Sequence, residues 1–152
     1  MAIDDDIKQV KPFRSAKNKA IVNIIYTNNW MTFQQKKFLK KMGLSLETYN
    51  VLKILKGVAP QNVSINAIIT RMLDKLSNAS RLVDRLFDQG YVTRVTSEDD
   101  RRSVKIAITQ SGIKALEKAD AEMTQFENAF TGLTDDEATQ LSALLDKLRS
   151  NN

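Results

Sequence analysis

The groups best equipped for chemistry in this chain are gathered in two short stretches, Ser77 to Arg81 and Asp100 to Arg102. The first offers Ser77, Asn78, Ser80 and Arg81. Asn can pair with adenine and Arg with guanine through two hydrogen bonds each, and a serine hydroxyl reaches bases or phosphates. Such groups read base edges when they stand at the N-terminal end of a helix laid in the major groove. The plainer alternative is that Ser77 or Asn78 only caps a helix and Arg81 only meets solvent; a cap role is expected of Ser77 in either case. The second stretch places Arg101 and Arg102 on a thin polar loop, a form suited to the narrow, electronegative minor groove. Glu98, Asp99 and Asp100 beside them would repel DNA if free. Asp100 is therefore assigned to brace one of the arginines, since orienting a long side chain beforehand lowers the entropy lost on binding. A self-neutralised surface turn is the competing reading.

Composition removes most other chemistry. The 152 residues include no cysteine and no histidine, which excludes disulfides, thiol nucleophiles, zinc fingers and every histidine-dependent triad. No nucleophile–base pair, glycine-rich phosphate loop or clustered carboxylate set replaces them. The chain therefore reads as a binding protein and not an enzyme, with no cofactor and no metal. Its length suits one domain, or a compact unit with helical extensions. Five glycines and two prolines are too few for a turn-rich β fold. The start is acidic (Asp4, Asp5, Asp6) where a secretory signal would be basic, and no apolar run is long enough to span a bilayer. A soluble, cytoplasmic protein with no membrane partner is expected. The net charge of +5 is uneven: residues 1–56 carry 11 basic and 4 acidic side chains, residues 106–152 carry 4 and 8. A basic front and acidic tail suit a partner that is a polyanion, although ordinary solvated helix surface would look similar.

The elements that must position these groups follow from periodicity. Residues from about Pro12 to Met42 lack glycine and read as a long helix, with Ile21, Ile24, Ile25 and Asn28 at helical spacing, a possible break near Asn28–Asn29, and Gly43 as the stop. Ser45 can cap a second helix that ends near Gly57 and Pro60, and residues 57–63 read as a loop. Ser64 can cap a short third helix reaching about Leu73. In residues 77–88, apolar side chains at 79, 82, 83, 86 and 87 form the stripe of an amphipathic helix, closed by Gly90. A turn around Asp74-Lys75-Leu76 joins the two helices into a helix-turn-helix candidate. After Gly90 the period changes from 3.6 to 2. Residues 91–96 and 104–109 alternate and are β-branched, as half-buried strands require, so a hairpin with a charged tip follows the reading helix directly. That order is a winged helix-turn-helix. Ser64 at a helix start and Lys75 in the turn complete the DNA-facing set, against phosphates.

Thr109 can cap a further helix in which Leu116, Met123, Phe126 and Phe130 keep a heptad rhythm. Thr134 to Glu137 form a capping box for a last one, with Leu141, Leu145 and Leu148 along one side. These residues are read as a homodimer interface, because the small winged core offers too little surface to absorb them; cover for the monomer's own core is the alternative. Tyr26, Trp30, Phe33 and Tyr49 either line an aromatic pocket between the first two helices or pack in the core.

The stretch from Asp74 through Arg94, followed by Asp99-Asp-Arg-Arg and Ile108-Thr109-Gln-Ser-Gly112, resembles the MarR family of bacterial transcriptional regulators over about residues 12–150. The resemblance implies a mainly α (α+β) fold: an N-terminal dimerisation part (1–42), a winged helix-turn-helix DNA-binding domain (43–110) and C-terminal dimerisation helices (111–152). It implies a homodimer on a pseudo-palindromic operator in double-stranded DNA, usually as a repressor, often released by a small aromatic or phenolic ligand held between the dimer and DNA-binding regions. Members that sense peroxide through cysteine or zinc through histidine differ from this chain, which has neither residue. That leaves a small organic effector, a partner protein or no effector. The alternative in another class is a protein-interaction module on a winged-helix scaffold that no longer binds DNA.

Overall fold

The computed structural model describes residues 2–96, 104–128 and 132–150. A short helix α1 (Ile3–Asp6) precedes the long α2 (Ala16–Lys40), and α3 (Leu46–Val58), α4 (Ile65–Ile69) and α5 (Ala79–Asp88) follow. Strand β1 (Val63–Ser64) runs into α4, β2 (Val92–Thr96) and β3 (Val104–Ile108) follow α5, and α6 (Gln110–Asn128) and α7 (Asp135–Arg149) end the chain. The three strands form one antiparallel sheet in the order β1-β3-β2. No helix among the described residues is long and apolar enough to cross a membrane.

Local chemistry accounts for the boundaries. Ser15 starts α2 by accepting the Asn18 N–H at 3.1 Å, and Gly43, at φ +69°, turns the chain out beyond its end. The helix passes through Asn28 and Asn29 without a break, because each asparagine costs only a few tenths of a kcal/mol in a helix otherwise free of glycine and proline. Ser45 and Thr48 cap α3 reciprocally, and Thr134 and Glu137 do the same for α7. Two expectations need correction. Residues 57–63 are not all loop, since Val63 pairs with Ile106 and Ser64 with Lys105; a two-residue strand is too short to show an alternating pattern. Helix α4 stops at Ile69 and not near Leu73, and its chain continues as single turns that bring Met72 into the core.

One core is shared by α2 to α6 and the sheet. Leu52 and Leu55 of α3, Ile68 of α4, Leu86 of α5 and Ile106 of β3 are fully buried together with Leu39 of α2 and Leu116 of α6. The period along α6 is as expected, but its direction is not: Leu116, Met123 and Phe126, read as a dimer interface, lie buried in this chain's own core. The neighbouring α2 and α3 cover that face, and Phe126 stacks at a tilt on Phe38, ring centres 6.2 Å apart. Helix α7, by contrast, buries none of its residues. Leu141 and Leu148 are exposed and Leu145 is half-buried; Phe130 lies outside the described residues.

Candidate nucleic-acid interface

Helices α4 and α5 and the turn between them form the expected helix-turn-helix, and the turn is held by its own polar side chains. The Asp74 carboxylate accepts the Leu76 N–H at 2.9 Å and the Ser77 hydroxyl at 2.6 Å. The Ser77 hydroxyl and then the backbone N–H groups hold the Asp74 carboxyl below its usual range near 3.8. The Lys75 ammonium donates to the carbonyls of Ile69 at 3.1 Å and Thr70 at 2.5 Å, satisfying the open end of α4. Asn50 on α3 accepts the Leu73 N–H at 3.0 Å, so the turn hangs from the buried helix behind it.

The cap of α5 is Asn78, whose side-chain oxygen accepts the Arg81 N–H at 3.1 Å; Ser77 is not the cap but a donor within the turn. Capping uses the Asn78 carbonyl and leaves its NH₂ pointing away from that bond. Ser80 and Arg81 follow, both exposed, while Ala79, Val83 and Leu86 on the opposite side are buried. Alternation of buried and exposed faces thus brings Asn78, Ser80 and Arg81 to one end of one helix. Ser64 is half-buried and caps α4 through the Ala67 N–H at 3.2 Å. Sequence reasoning passed over Leu73 and Leu76, which are 88% and 96% exposed in this turn. The available signal was two leucines in a connection whose one other apolar residue, Met72, is buried.

Behind the helix stands the wing. Strands β2 and β3 pair in register from Val92–Ile108 to Thr96–Val104. Asp100, Arg101 and Arg102 fall in the connection 97–103 and lie outside the described residues. Arg94 of β2 pairs with Asp84 of α5 and lies over the Phe87 ring at 4.9 Å, tying strand to helix. At the root of the wing the Thr109 hydroxyl donates to the Gly90 carbonyl at 2.7 Å and accepts the Gly112 N–H at 3.0 Å. Gly112 admits no larger residue, since a Cβ there would stand 2.2 Å from the Tyr91 carbonyl oxygen.

The four aromatic residues considered for a pocket do not come together. Tyr26, Trp30 and Phe33 sit on exposed faces of α2, whereas Tyr49 of α3 lines a cavity of about 300 Å³ with Met31, Gln35, Met123, Phe126 and Glu127. Helical spacing placed all four on helices but could not say which side of α2 meets α3. The Tyr49 hydroxyl donates to Asp120 at 2.7 Å, and the Lys53 ammonium donates to the same oxygen at 3.2 Å.

Residues 42–103 match the model of the MarR family. The HTH-type transcriptional repressor IacR of Pseudomonas putida is 31% identical over 123 residues, covering 80% of this chain and 69% of that protein. The crystal structure of a MarR transcription factor from Planctomyces limnophilus matches with a TM-score of 0.69 at 29% identity, over 89% of this chain and 98% of that one. An organohalide-sensing transcriptional regulator in its 2,4-dichlorophenol-bound form matches in fold at a TM-score of 0.82 and 19% identity, over 95% of this chain and 88% of that one.

Proposed function

The chain belongs to the MarR family of transcriptional regulators, and from that premise we propose that it works as a homodimeric repressor on a pseudo-palindromic operator, released by an organic effector. The observation that carries the reading is the exposed Asn78, Ser80 and Arg81 at the start of an amphipathic α5, followed at once by a hairpin in register. Residues 43–110 supply the DNA contact. Asn78 and Arg81 meet base edges, Ser77, Ser80, Lys75 and Ser64 lie toward phosphates, and Leu73 or Leu76 meets a thymine methyl. Arg101 and Arg102, braced by Asp100, enter the minor groove.

Residues 1–42 and 111–152 supply the dimer contact, revised to the side chains that one chain leaves exposed. Among these are Ile21 and Ile25 on α2 and Leu141, Leu144 and Leu148 on α7. The α7 leucines recur at i, i+3 and i+7, an apolar edge that a single copy leaves facing solvent. The interaction-module alternative is not favoured, because the relatives are named as HTH-type transcriptional regulators.

A gel-shift on the gene's own upstream DNA, at 50 and 200 mM salt, tests the reading. A dimer neutralising roughly 6–10 phosphates loses about 10³–10⁵ in affinity across that range. Failure to shift any upstream fragment at the lower salt would overturn it.

A further inference from the structure

The cavity between α2, α3 and α6 narrows the chemistry of the effector, an inference that rests on the effector reading above. Its walls are Met31 and Gln35 of α2, Tyr49 of α3, and Met123, Phe126 and Glu127 of α6. Met123 and Phe126 are core side chains, nearly inaccessible elsewhere, so the cavity is built into the packing of three helices. Among the described residues, no lysine or arginine lines it. Lys53 bonds the same Asp120 oxygen that accepts the Tyr49 hydroxyl, so its charge is matched by that carboxylate.

The hydroxyl of Tyr49 has one proton, and it goes to Asp120 at 2.7 Å. Toward the cavity this oxygen can therefore only accept. Burial first, then the bond to Asp120 and the charges of Asp120 and Glu127, push the Tyr49 hydroxyl well above its ordinary value near 10, so it stays neutral. Glu127 adds a carboxylate at the rim, and with the Tyr49 proton committed to Asp120 the Gln35 amide is the one polar hydrogen donor left among the described lining side chains. A phenolate or carboxylate entering here would meet acceptors and a negative charge. An ammonium would meet that carboxylate, the Tyr49 oxygen, two thioethers and the aromatic side chain of Phe126, surroundings that favour a cation over an anion.

We infer that this cavity binds a monovalent organic cation, an ammonium group on a small apolar or aromatic body, in preference to an anionic aromatic. Its wall also touches the DNA-reading unit. Tyr49 is followed on α3 by Asn50, which holds the Leu73 N–H at the head of the turn into α5. A ligand pressing on Tyr49 acts on the helix from which that turn hangs.

The test is calorimetric titration of the full-length protein at pH 7 with benzyltrimethylammonium, whose charge is fixed, and with benzoate, its anionic counterpart. The cation is expected to bind at least about tenfold more tightly than benzoate. Glu127→Gln, at an exposed position, is expected to weaken the cation roughly threefold to tenfold, and Gln35→Glu to strengthen it. Benzoate binding as tightly as the cation, or cation affinity indifferent to both substitutions, would overturn the inference. A parallel operator shift separates the two readings. Operator binding without cation binding removes this inference alone; charge-dependent cation binding without any operator binding supports it while removing the regulatory reading.

Discussion

At the scale of single residues, the groups proposed to face DNA are held by short-range bonds whose loss can be measured separately from DNA contact. Asn78 does two jobs. Replacing it with alanine removes the cap of α5 and is expected to cost about 0.5–2 kcal/mol of stability, read by urea unfolding. Serine there should restore the cap but not the reach of the amide to a base. Gly112→Ala is expected to destabilise by about 1–3 kcal/mol or more, because the obstacle is the backbone carbonyl of Tyr91 and cannot rotate away. Unfolding indistinguishable from wild type would contradict the close approach. Arg101→Ala should weaken operator binding by roughly 1–3 kcal/mol while leaving stability alone. The Thr109-x-x-Gly112 pattern was legible as a family likeness, but its reason was not. Only the folded chain shows that the threonine bridges Gly90 to α6 and that the glycine has no room for a Cβ.

At the scale of elements, the parts specified by near neighbours were readable and the parts specified by distant ones were not. The stripe of α5, the alternation of β2 and β3, and the caps at Ser45 and Thr134 each lie within a few residues of one another. The face of α6 is different. Its heptad spacing says that Leu116, Met123 and Phe126 must be covered, but the same spacing serves a partner copy and the chain's own α2 and α3 equally well. The reverse holds for α7, whose leucines remain exposed in one chain. Leu144→Asp should therefore convert a dimer to monomer in sedimentation without unfolding residues 43–110. A dimer that persisted would remove α7 from the interface. At the turn, Leu76→Ala should lower operator affinity without lowering the unfolding midpoint, since its side chain is almost wholly exposed.

At the scale of the whole molecule, the absence of histidine and cysteine shapes the response to pH. No side chain with an ordinary ionisation between pH 5 and 8 is present, so thermal stability should be nearly flat across that range. The carboxyls of Asp74, Glu137 and Asp4 lie below their usual values, through the Ser77 hydroxyl, the Thr134 backbone N–H and the Lys19 ammonium respectively. A lowered carboxyl stabilises the fold fully above its unfolded value, here 3.8 to 4.5, and ceases to do so as pH falls through its folded value. The melting temperature should accordingly decline only below about pH 4.5, and a steep decline between pH 7 and 5 would contradict this. The uneven charge noted in the sequence does not fall on α5, where Arg81 and Arg85 are balanced by Asp84 and Asp88; the acidic C-terminal segment includes α7 and the basic excess lies in residues 1–56.

The central claim is that α5 reads bases through side chains at its N-terminal end. Its most direct test is fluorescence anisotropy with wild type and Arg81→Ala, each titrated onto the operator and onto a scrambled duplex of equal length at one salt concentration. Loss of roughly 1–3 kcal/mol on the operator, with a much smaller loss on the scrambled duplex, is the predicted result. Equal losses on both duplexes, or none on the operator, would show that Arg81 meets only phosphate or solvent and would contradict the account.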